Sequence, residues 1–570
     1  MLSKPGMVQF EGLKDAPQAR SAALPAVDTD WWRGAIIYQI YPRSFADSNG
    51  DGTGDLPGII QRLDYLAELG VEAVWISPFF KSPMKDFGYD ISDYRQVDPI
   101  FGTLADIDRL IEEAHRRGIR VIIDQVLSHT SDQHPWFQAS AQDRANDKAE
   151  WYVWADPKAD GTPPNNWLSI FGGSAWQWEP RRRQYYLHNF LVSQPDLNLH
   201  HPAVMQQMLE EVEFWLQRGV DGFRLDAINF CFHDPLLRDN PAKPIEQRKG
   251  RGYRADNPYA YQFHVYDNTR PENFTFLEAL RKLVNRYSPA VTLGEVSSEN
   301  PLDTIIEYTS GTNRLHMAYS FELLVDNFST DHIRSVIETL EAKCQDCWPC
   351  WAIGNHDVAR VASRWADGGT PGPRAKLLNA FLFSLKGTAC SYQGEELGLA
   401  EAEIPRDALR DPYGIAFWPT FKGRDGCRTP LPWTEQEPAH GFSSTKPWLP
   451  IPAQHRPLSV DRQLAANDSV LNAYRTFLQW RRRHLALRHG SIRFVDSPPD
   501  TLCFLREHEG RCLLACFNFG RSPCALRVPT AGTDVVTGHG FEECERTGGA
   551  VRLPSSGAFF AYVKGTLKAL

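Results

Sequence analysis

The sequence lacks an excess of basic residues. Its 61 Lys and Arg are outnumbered by 70 Asp and Glu, which gives a formal net charge of −9. Nucleic acids and anionic membrane surfaces select for basic proteins, so we expect neither as a partner. No stretch approaches the ~18 apolar residues of a membrane span, and the mixed, polar first thirty residues hold no apolar core of signal-peptide length. We therefore expect a cytoplasmic protein.

Cysteine is also sparse and does not form an obvious framework. The chain has 11 Cys among 570 residues, an odd number that fits reduced thiols better than a set of disulfides. Cys344, Cys347 and Cys350 form a C-x2-C-x2-C pattern, but no fourth ligand of standard spacing lies nearby. We interpret these residues as buried thiols, not as a metal or cluster site.

What the sequence does contain, after Trp31, is a regular alternation of short β-rich segments with longer segments of helical periodicity. We count eight such strand candidates, which predicts an α/β protein whose parallel strands close into a (β/α)8 TIM barrel. Two stretches interrupt the alternation, and the last part of the chain has short β segments between turns. The predicted division is an N-terminal extension (1–30), the barrel (31–127 and 199–484), an inserted subdomain after strand three (128–198), an insert before the last barrel helix (396–460) and a C-terminal antiparallel β-sandwich (485–570).

Acidic residues follow four of the predicted strands. In a barrel of this kind, the groups that perform chemistry lie at the C-terminal ends of the strands, so these side chains should share one rim. A single acid at a loop start is common and means little, whereas four at equivalent positions indicate a site. These residues are Asp124 with His129 beyond it, Asp226 beside Arg224, Glu295, and Asp357 beside His356.

Several carboxyl groups in one polar cleft suit the hydrolysis of glycosidic bonds. That reaction needs one carboxylate and one carboxylic acid, each with a different ionisation state. Arg224 and Asp226 stand two positions apart on a strand, so they share a face, and the guanidinium would hold Asp226 ionised. Nearby carboxylates and burial would raise the pKa of Glu295. An isolated R-x-D pair is more often a structural ion pair, so this interpretation depends on the other acids.

These segments resemble a known family. "DQVLSH", "GFRLDA", "TLGEV" and "AIGNHD", in that order, are similar to the four signature regions of the α-amylase family of glycoside hydrolases, family 13. "QPDLN" (194–198) resembles an additional motif of its α-glucosidase and oligo-1,6-glucosidase branch. The resemblance covers nearly the whole chain after residue 31.

The resemblance implies a role for each acid. Asp226 would be the nucleophile that forms a β-glucosyl-enzyme, with Arg224 orienting it, and Glu295 would be the general acid and then the base. Asp357 would bind the 2- and 3-hydroxyls and stabilise the oxocarbenium-like transition state, and Asp124 would support this group. The α configuration would be retained, with the carboxyls of Asp226 and Glu295 ~5–5.5 Å apart.

The resemblance also implies a pocket closed at one end, as in exo-acting enzymes. Tyr89 and Asp90 in "DFGYDISDY" resemble residues that stack on and bind the terminal glucose, although Asp90 could instead cap a turn. Arg428, with Arg424 as the alternative, resembles the arginine that pairs with this aspartate. Other residues implied to contact the sugar are His129, His356, Arg360 and Phe171, the last of which could equally be a core residue.

The expected substrates are short α-glucosides. Related enzymes with Val after the nucleophile cleave α-1,6 bonds, whereas this chain has Ala227, so we expect α-1,4 bonds in maltose-like substrates, with glucose transfer to other acceptors as a side reaction. An oligo-1,6-glucosidase and a trehalose- or sucrose-active glucosyl transferase are the alternatives. The non-catalytic transporter heavy chains of similar fold carry a membrane helix and lack the full catalytic set. We leave open whether the protein is a monomer or a homodimer.

"DSNGDGTGD" (47–55) begins like a calcium-binding loop but lacks the glutamate at its twelfth position. Related glucosidases bind Ca²⁺ or Mg²⁺ in such a loop, and a plain Asx/Gly turn is the alternative. We expect one structural divalent cation and no organic cofactor. Ser128 replaces the asparagine that binds a second calcium in true amylases, which argues against that ion and against endo action. The predicted ligands are Asp47, Asn49, Asp51, the carbonyl of Thr53 and Asp55.

Overall fold

A parallel sheet of eight strands forms the centre of the protein, in a computed structural model that describes residues 28–564 except 249–252, 254, 370, 437 and 530. The N-terminal extension predicted for residues 1–30 lies almost entirely outside the described residues. The sheet strands, labelled in chain order, are β1 (Ile36–Ile40), β2 (Ala73–Ile76), β3 (Arg120–Val126), β4 (Gly222–Asp226), β5 (Val291–Val296), β6 (Met317–Ser320), β7 (Cys350–Ala352) and β8 (Thr388–Tyr392).

Neighbouring strands pair so that the sheet curls into a barrel. Strands β1 to β6 are hydrogen-bonded in sequence, β8 pairs with both β1 and β7, and a parallel bridge between Ala318 and Pro349 joins β6 to the start of β7. Every residue of β4 and β5 is buried, because the barrel interior covers one face and helices cover the other. The (β/α)8 prediction is confirmed. All eight strands therefore end at one rim.

Capping side chains and a left-handed glycine mark the ends of helices around the barrel. Thr103 and Asp106 form a reciprocal capping box at the start of Leu104–Arg116, and Gly70, with φ 89°, ends the helix before β2. Between β1 and β2, two helices, Leu56–Gln61 and Leu63–Leu69, meet at Arg62. The α-helices are Leu56–Gln61, Leu63–Leu69, Leu104–Arg116, Pro135–Ser140, Pro202–Gln217, Asn273–Asn285, Pro301–Thr309, Thr330–Lys343, Val361–Arg364, Pro371–Ser384, Pro412–Phe417, Val460–Ala465, Val470–Arg482 and Leu485–His489.

Long segments after β3, β4 and β8 build the rim above the barrel. The segment after β3 carries a small antiparallel sheet of Trp154–Ala155, Trp176–Glu179 and Gln184–Leu187. The segment after β4 was not predicted as a separate excursion. It packs against that sheet's loops, where Trp167 Nε1 donates to the carbonyl of Arg238 at 2.9 Å.

The chain ends in two antiparallel sheets. A sheet of five strands and a sheet of three enclose an apolar core of their own. Their strands are Ser491–Val495, Thr501–His508, Arg511–Asn518, Cys524–Arg527, Thr533–Val535, Glu545–Thr547, Ala550–Leu553 and Ala558–Val563, and a separate hairpin after β2 pairs Phe80–Lys81 with Asp93–Val97.

One cysteine prediction is wrong. Cys344 and Cys347 form a disulfide, whereas Cys350 is a buried free thiol as expected. In the described part of the chain, no helix has the length and apolar character needed to cross a membrane.

Arg506 connects the barrel to the C-terminal sheets. Its side chain is fully buried and donates to the carbonyls of Ser384 at 2.5 Å, Gly490 at 2.9 Å and Ser491 at 3.1 Å. Ser384 ends a barrel helix, and the other two residues precede or begin the first C-terminal strand. The guanidinium therefore satisfies carbonyls on both sides of this junction.

We predict that Arg506→Leu lowers the thermal unfolding midpoint by several degrees, because each carbonyl left unsatisfied in the interior costs about 1–3 kcal/mol. Differential scanning calorimetry measures the shift. Arg527→Leu, on an exposed position of the same sheets, is the matched control and should change the midpoint little. Equal midpoints for the two variants would show that Arg506 does not hold this junction.

Candidate active site

The guanidinium of Arg224 binds acidic side chains from three different strands. Its Nη1 lies 2.7 Å from Asp226 Oδ1 and 2.8 Å from Asp124 Oδ1, and its Nη2 lies 2.5 Å from Glu295 Oε1. Arg224 is 0% exposed. The period of two in β4 places Arg224 and Asp226 on one face, and the neighbouring strands β3 and β5 supply the other two acids.

Glu295 is held from two further directions. Tyr319, on β6, donates its hydroxyl to Glu295 Oε1 at 2.9 Å, and the backbone N–H of Ala227 donates to Oε2 at 3.1 Å. Ala227 adopts φ 39°, in the left-handed region that few non-glycine residues occupy. This turn directly after Asp226 aims the N–H at Glu295. Tyr319 was not identified from the sequence.

The ionisation of this cluster differs from our expectation. We expected an ionised Asp226 beside Arg224. Instead, burial raises the pKa of Asp226 well above its usual range, Arg224 opposes this rise, and Glu295 and Asp124 add to it. Burial also raises the pKa of Asp124 to about 6, again against the pull of Arg224. Because Asp124 and Asp226 lie on the same cation, their titrations are coupled.

Asp357 lies across the same cavity in a different electrostatic setting. Arg428 Nη2 and Arg424 Nη1 contact its Oδ1 at 2.8 and 3.1 Å. Burial acts to raise the pKa of Asp357, but the guanidiniums of Arg424 and Arg428 outweigh burial and hold it below its usual range. The arginines therefore favour the carboxylate form of Asp357, whereas burial favours the protonated form of Asp226. Two ionisation states in one cavity are what general acid catalysis requires.

Tyr89 and His129 line this cavity, whereas His356 is fully buried behind Tyr89, with Gln39 2.7 Å from its Nδ1. Tyr89 stacks on His356 with ring centroids 5.4 Å apart, and its hydroxyl lies 2.6 Å from His356 Nε2. His129 lies beside Gln194 at 3.2 Å. Burial lowers the pKa of His129 to about 3 and that of His356 well below its usual value, so both rings are neutral and can form hydrogen bonds without adding charge.

The predicted pairing of Asp90 with Arg428 is wrong. Asp90 is 0% exposed, and it accepts hydrogen bonds from Ser82 Oγ and from the backbone of Lys85 and Asp86, so it caps a turn. Arg428 pairs instead with Asp357. Burial raises the pKa of Asp90 to about 6.

Asp86 and Arg424 form the ion pair that lines the cavity. Arg424 Nη2 lies 2.8 Å from both Asp86 Oδ1 and Asp411 Oδ1, and Gln194 Nε2 donates to the other oxygen of Asp86 at 3.1 Å. Arg424 was the alternative to Arg428 in the sequence. Asp86 lies three residues before Tyr89 in the same motif, which was the available signal for it.

Aromatic rings line the rest of the cavity. Phe171, which could have been a core residue, lies on the cavity wall with Arg424 5.3 Å above its ring. Ala227 also lines the cavity, whereas Arg360 does not and is buried behind it. Residues of the wall that the sequence did not reveal are Ile170, Phe190, Phe230, Tyr253, Ser297, Phe321 and Tyr413.

The loop predicted to bind a cation fits that role in part. Asp55 is buried and caps the helix Leu56–Gln61, with Oδ1 accepting from Gly58 N at 2.6 Å and Oδ2 from Ser48 Oγ at 2.8 Å. Within the part of the chain that the structure describes, no three His, Cys, Asp or Glu side chains form a metal-binding group. The less buried oxygen donors of the loop, which suit Ca²⁺ or Mg²⁺, are Asp47, Asn49, Asp51 and the carbonyl of Thr53.

Comparisons with known proteins agree with this geometry. The family model for the alpha amylase catalytic domain matches residues 39–490. The chain is 55% identical over 544 residues to a probable alpha-glucosidase of Rhizobium meliloti, covering 95% of this chain and 98% of that protein. It is 36% identical to an oligo-1,6-glucosidase of Parageobacillus thermoglucosidasius, covering 88% and 92%.

Solved structures show the same fold. A crystal structure of the alpha-glucosyl transfer enzyme XgtA superposes with a TM-score of 0.92 at 61% identity, covering 94% of this chain and 99% of that one. A trehalose-6-phosphate hydrolase of Bacillus licheniformis superposes with a TM-score of 0.83 at 30% identity, covering 94% and 100%. The matching family model and these relatives show that the chain belongs to the α-amylase family of glycoside hydrolases, in agreement with the cluster around Arg224.

Proposed function

We propose that this glycoside hydrolase is a retaining, exo-acting α-glucosidase that releases α-glucose from the non-reducing end of short α-glucosides, preferring α-1,4 bonds. The observation that carries the proposal is the convergence of Asp226, Glu295 and Asp357 on one cavity, with the first two on the same guanidinium. This is the arrangement that a double displacement needs.

In the first step, a carboxylate oxygen of Asp226 attacks the anomeric carbon. The bond from that carbon to the glycosidic oxygen breaks, and the leaving oxygen takes the proton of Glu295. In the reactive complex, Glu295 must therefore be protonated, and Asp226 must be ionised beside Arg224. In the second step, Glu295 takes a proton from water, whose oxygen attacks the same carbon and breaks the ester bond to Asp226. Two inversions give retention.

The remaining groups hold the sugar and its developing charge. The permanent negative charge of Asp357 suits both the hydroxyls of a sugar and a transition state with positive charge at its ring. His129 and His356 would donate or accept hydrogen bonds as neutral rings. An alcohol or phenol could replace water in the second step, which would give glucose transfer.

The ion pair of Asp86 and Arg424 supports exo action. Arg424 also contacts Asp357 and Asp411 and lies against Phe171, so one end of the cavity carries a fixed wall of charged groups. A terminal glucose could place its hydroxyls against this wall, whereas the middle of a longer chain could not pass it. The names of the relatives favour a second candidate, an oligo-1,6-glucosidase, on the same fold and acids.

We predict that the glucose first released from p-nitrophenyl α-glucoside, followed by proton NMR, is the α anomer, which then mutarotates, because two inversions restore the configuration and the leaving group is not itself a glucose. Asp226→Asn should lower the turnover number at least ~10³-fold, because an amide cannot act as the nucleophile. Initial β-glucose would exclude the double displacement.

The matched control for this variant is Asp534→Asn, the same change on an exposed strand of the C-terminal domain, which should leave turnover unchanged. Circular dichroism checks that Asp226→Asn is folded. A folded Asp226→Asn protein with normal activity would remove Asp226 as the nucleophile.

We predict that the wild-type protein has a higher kcat/KM on maltose than on isomaltose, and that Ala227→Val reduces this ratio ~10-fold or more, because added methyl groups reshape the wall beside the nucleophile. A panel of maltose, isomaltose, trehalose and sucrose measures it. Ala227→Gly, which tolerates the left-handed backbone, should keep the maltose preference. Brisk isomaltose cleavage without maltose cleavage by the wild-type protein would overturn the bond assignment.

We also propose one structural Ca²⁺ or Mg²⁺ in the loop 47–55, held by its less buried oxygen donors. We predict that EDTA lowers the thermal unfolding midpoint and that either ion restores it, since a ligand that binds only the folded state stabilises it. Asp51→Asn should weaken the response, and Asp534→Asn should keep it. A midpoint that EDTA does not change would contradict the proposed ion.

A further inference from the structure

A second cavity lies behind the rim, separate from the one that holds the three acids. Residues following β7 and β8 and the helix Pro371–Ser384 form its walls. Its polar lining residues include Asn379 and Tyr392, which donate to the carbonyls of Glu395 and Cys427. The other three are Asn355, Arg360 and Glu395, which are 1%, 3% and 7% exposed. The cavity has room for about one water molecule.

Polar atoms without partners face this cavity. Asn355 Nδ2, Arg360 Nε and Nη2, and Glu395 Oε1 are buried and form no hydrogen bond within the protein. The other atoms of the same side chains are engaged: Arg360 Nη1 donates to the carbonyl of Gln393 at 2.9 Å, and Glu395 Oε2 accepts from Tyr392 N at 3.2 Å. Each side chain is therefore fixed in a position that leaves its remaining polar atoms toward the cavity.

Buried polar atoms in native proteins are almost always satisfied, either by the protein or by ordered water. Arg360 and Glu395 carry opposite charges and line one small space without a direct ion pair. One water can accept two hydrogen bonds, from Asn355 Nδ2 and Arg360, and can donate one to Glu395 Oε1. These bonds satisfy Asn355 Nδ2, one of the two Arg360 nitrogens and Glu395 Oε1, which are three of the four unpaired atoms.

Asn355 connects the cavity to the active site. Its Oδ1 accepts the backbone N–H of Asp357 at 2.9 Å. Its amide orientation therefore fixes the turn that presents the Asp357 carboxylate to the substrate cavity. A hydrogen-bond acceptor for Asn355 Nδ2 also fixes that orientation.

We propose that the second cavity holds an ordered water bridging Asn355, Arg360 and Glu395, and that Arg360 and Glu395 are positioning residues for Asp357. The inference rests on the proposed role of Asp357 in binding the sugar. It gives Arg360 a function different from the sugar contact predicted from the sequence.

Gly354 provides a way to disturb this bridge. A Cβ at this position would lie 2.2 Å from Glu395 Oε1, so Gly354→Ala must displace the carboxylate from the cavity. Glu395→Gln is the complementary change, because it keeps the size and can present a donor to groups that are already donors. Gly372→Ala, where the added carbon meets only Val470 at 3.9 Å, is the matched control.

The direct test is a crystal structure of the full chain at high resolution. We expect a density peak within hydrogen-bonding distance of Asn355 Nδ2, Arg360 and Glu395 Oε1. A map in which the cavity is empty, or in which Arg360 and Glu395 pair directly, overturns the proposal.

Steady-state kinetics on an α-glucoside test the functional consequence. We expect Gly354→Ala and Glu395→Gln to lower kcat/KM ~10-fold or more, since small displacements of a catalytic group are costly, and Gly372→Ala to leave it unchanged. If both variants lost thermal stability but kept kcat/KM, the two residues would be structural only. An active Asp226→Asn protein would refute the proposed function, whereas an empty cavity would refute only this inference.

Discussion

The structure of the site depends on one buried guanidinium that binds three carboxyl groups at once. Arg224 reaches Asp124, Asp226 and Glu295 because its planar fork presents several N–H donors in fixed directions and stays charged at every accessible pH. A lysine could offer a charge there but not this geometry. Three strands are thereby tied at their ends, so the barrel and the reacting groups are held by the same contact.

The same guanidinium also sets the charge balance of the cluster. Burial raises the pKa of Asp226, the carboxyls of Glu295 and Asp124 add to this rise, and Arg224 opposes it. In the proposed mechanism, Asp226 acts as the nucleophile and Glu295 as the acid, so both roles depend on the same cation. Asp357 is the contrasting case, because Arg424 and Arg428 together keep it ionised.

Much of the fold and of the candidate site could be predicted from the sequence, for reasons that differ between residues. Strand alternation and the rule that parallel strands end at one rim were enough to place Asp226, Glu295 and Asp357 together. Asp90 was predicted to bind the sugar, but Asp86 lines the cavity instead. Both lie in one turn, where Phe87 adopts φ 51°, and periodicity does not predict which side chain such a turn directs toward the cavity. The long segment after β4 was missed because its sequence has neither helical nor strand periodicity. Its Tyr253 nevertheless lines the cavity.

The distribution of charge also indicates the kind of transition state that the site favours. The cluster around Arg224 holds three carboxyl groups against one guanidinium. Around Asp357, the carboxyls of Asp86, Asp357 and Asp411 likewise outnumber the guanidiniums of Arg424 and Arg428. Acidic groups therefore exceed basic groups on both sides of the cavity, which in the proposed mechanism suits the positive charge that develops at the anomeric carbon. Fixed charges in a water-poor site stabilise such a charge without reorganisation during the reaction. An anionic transition state would gain nothing from these side chains, so their arrangement favours glycosyl transfer over phosphoryl or acyl transfer.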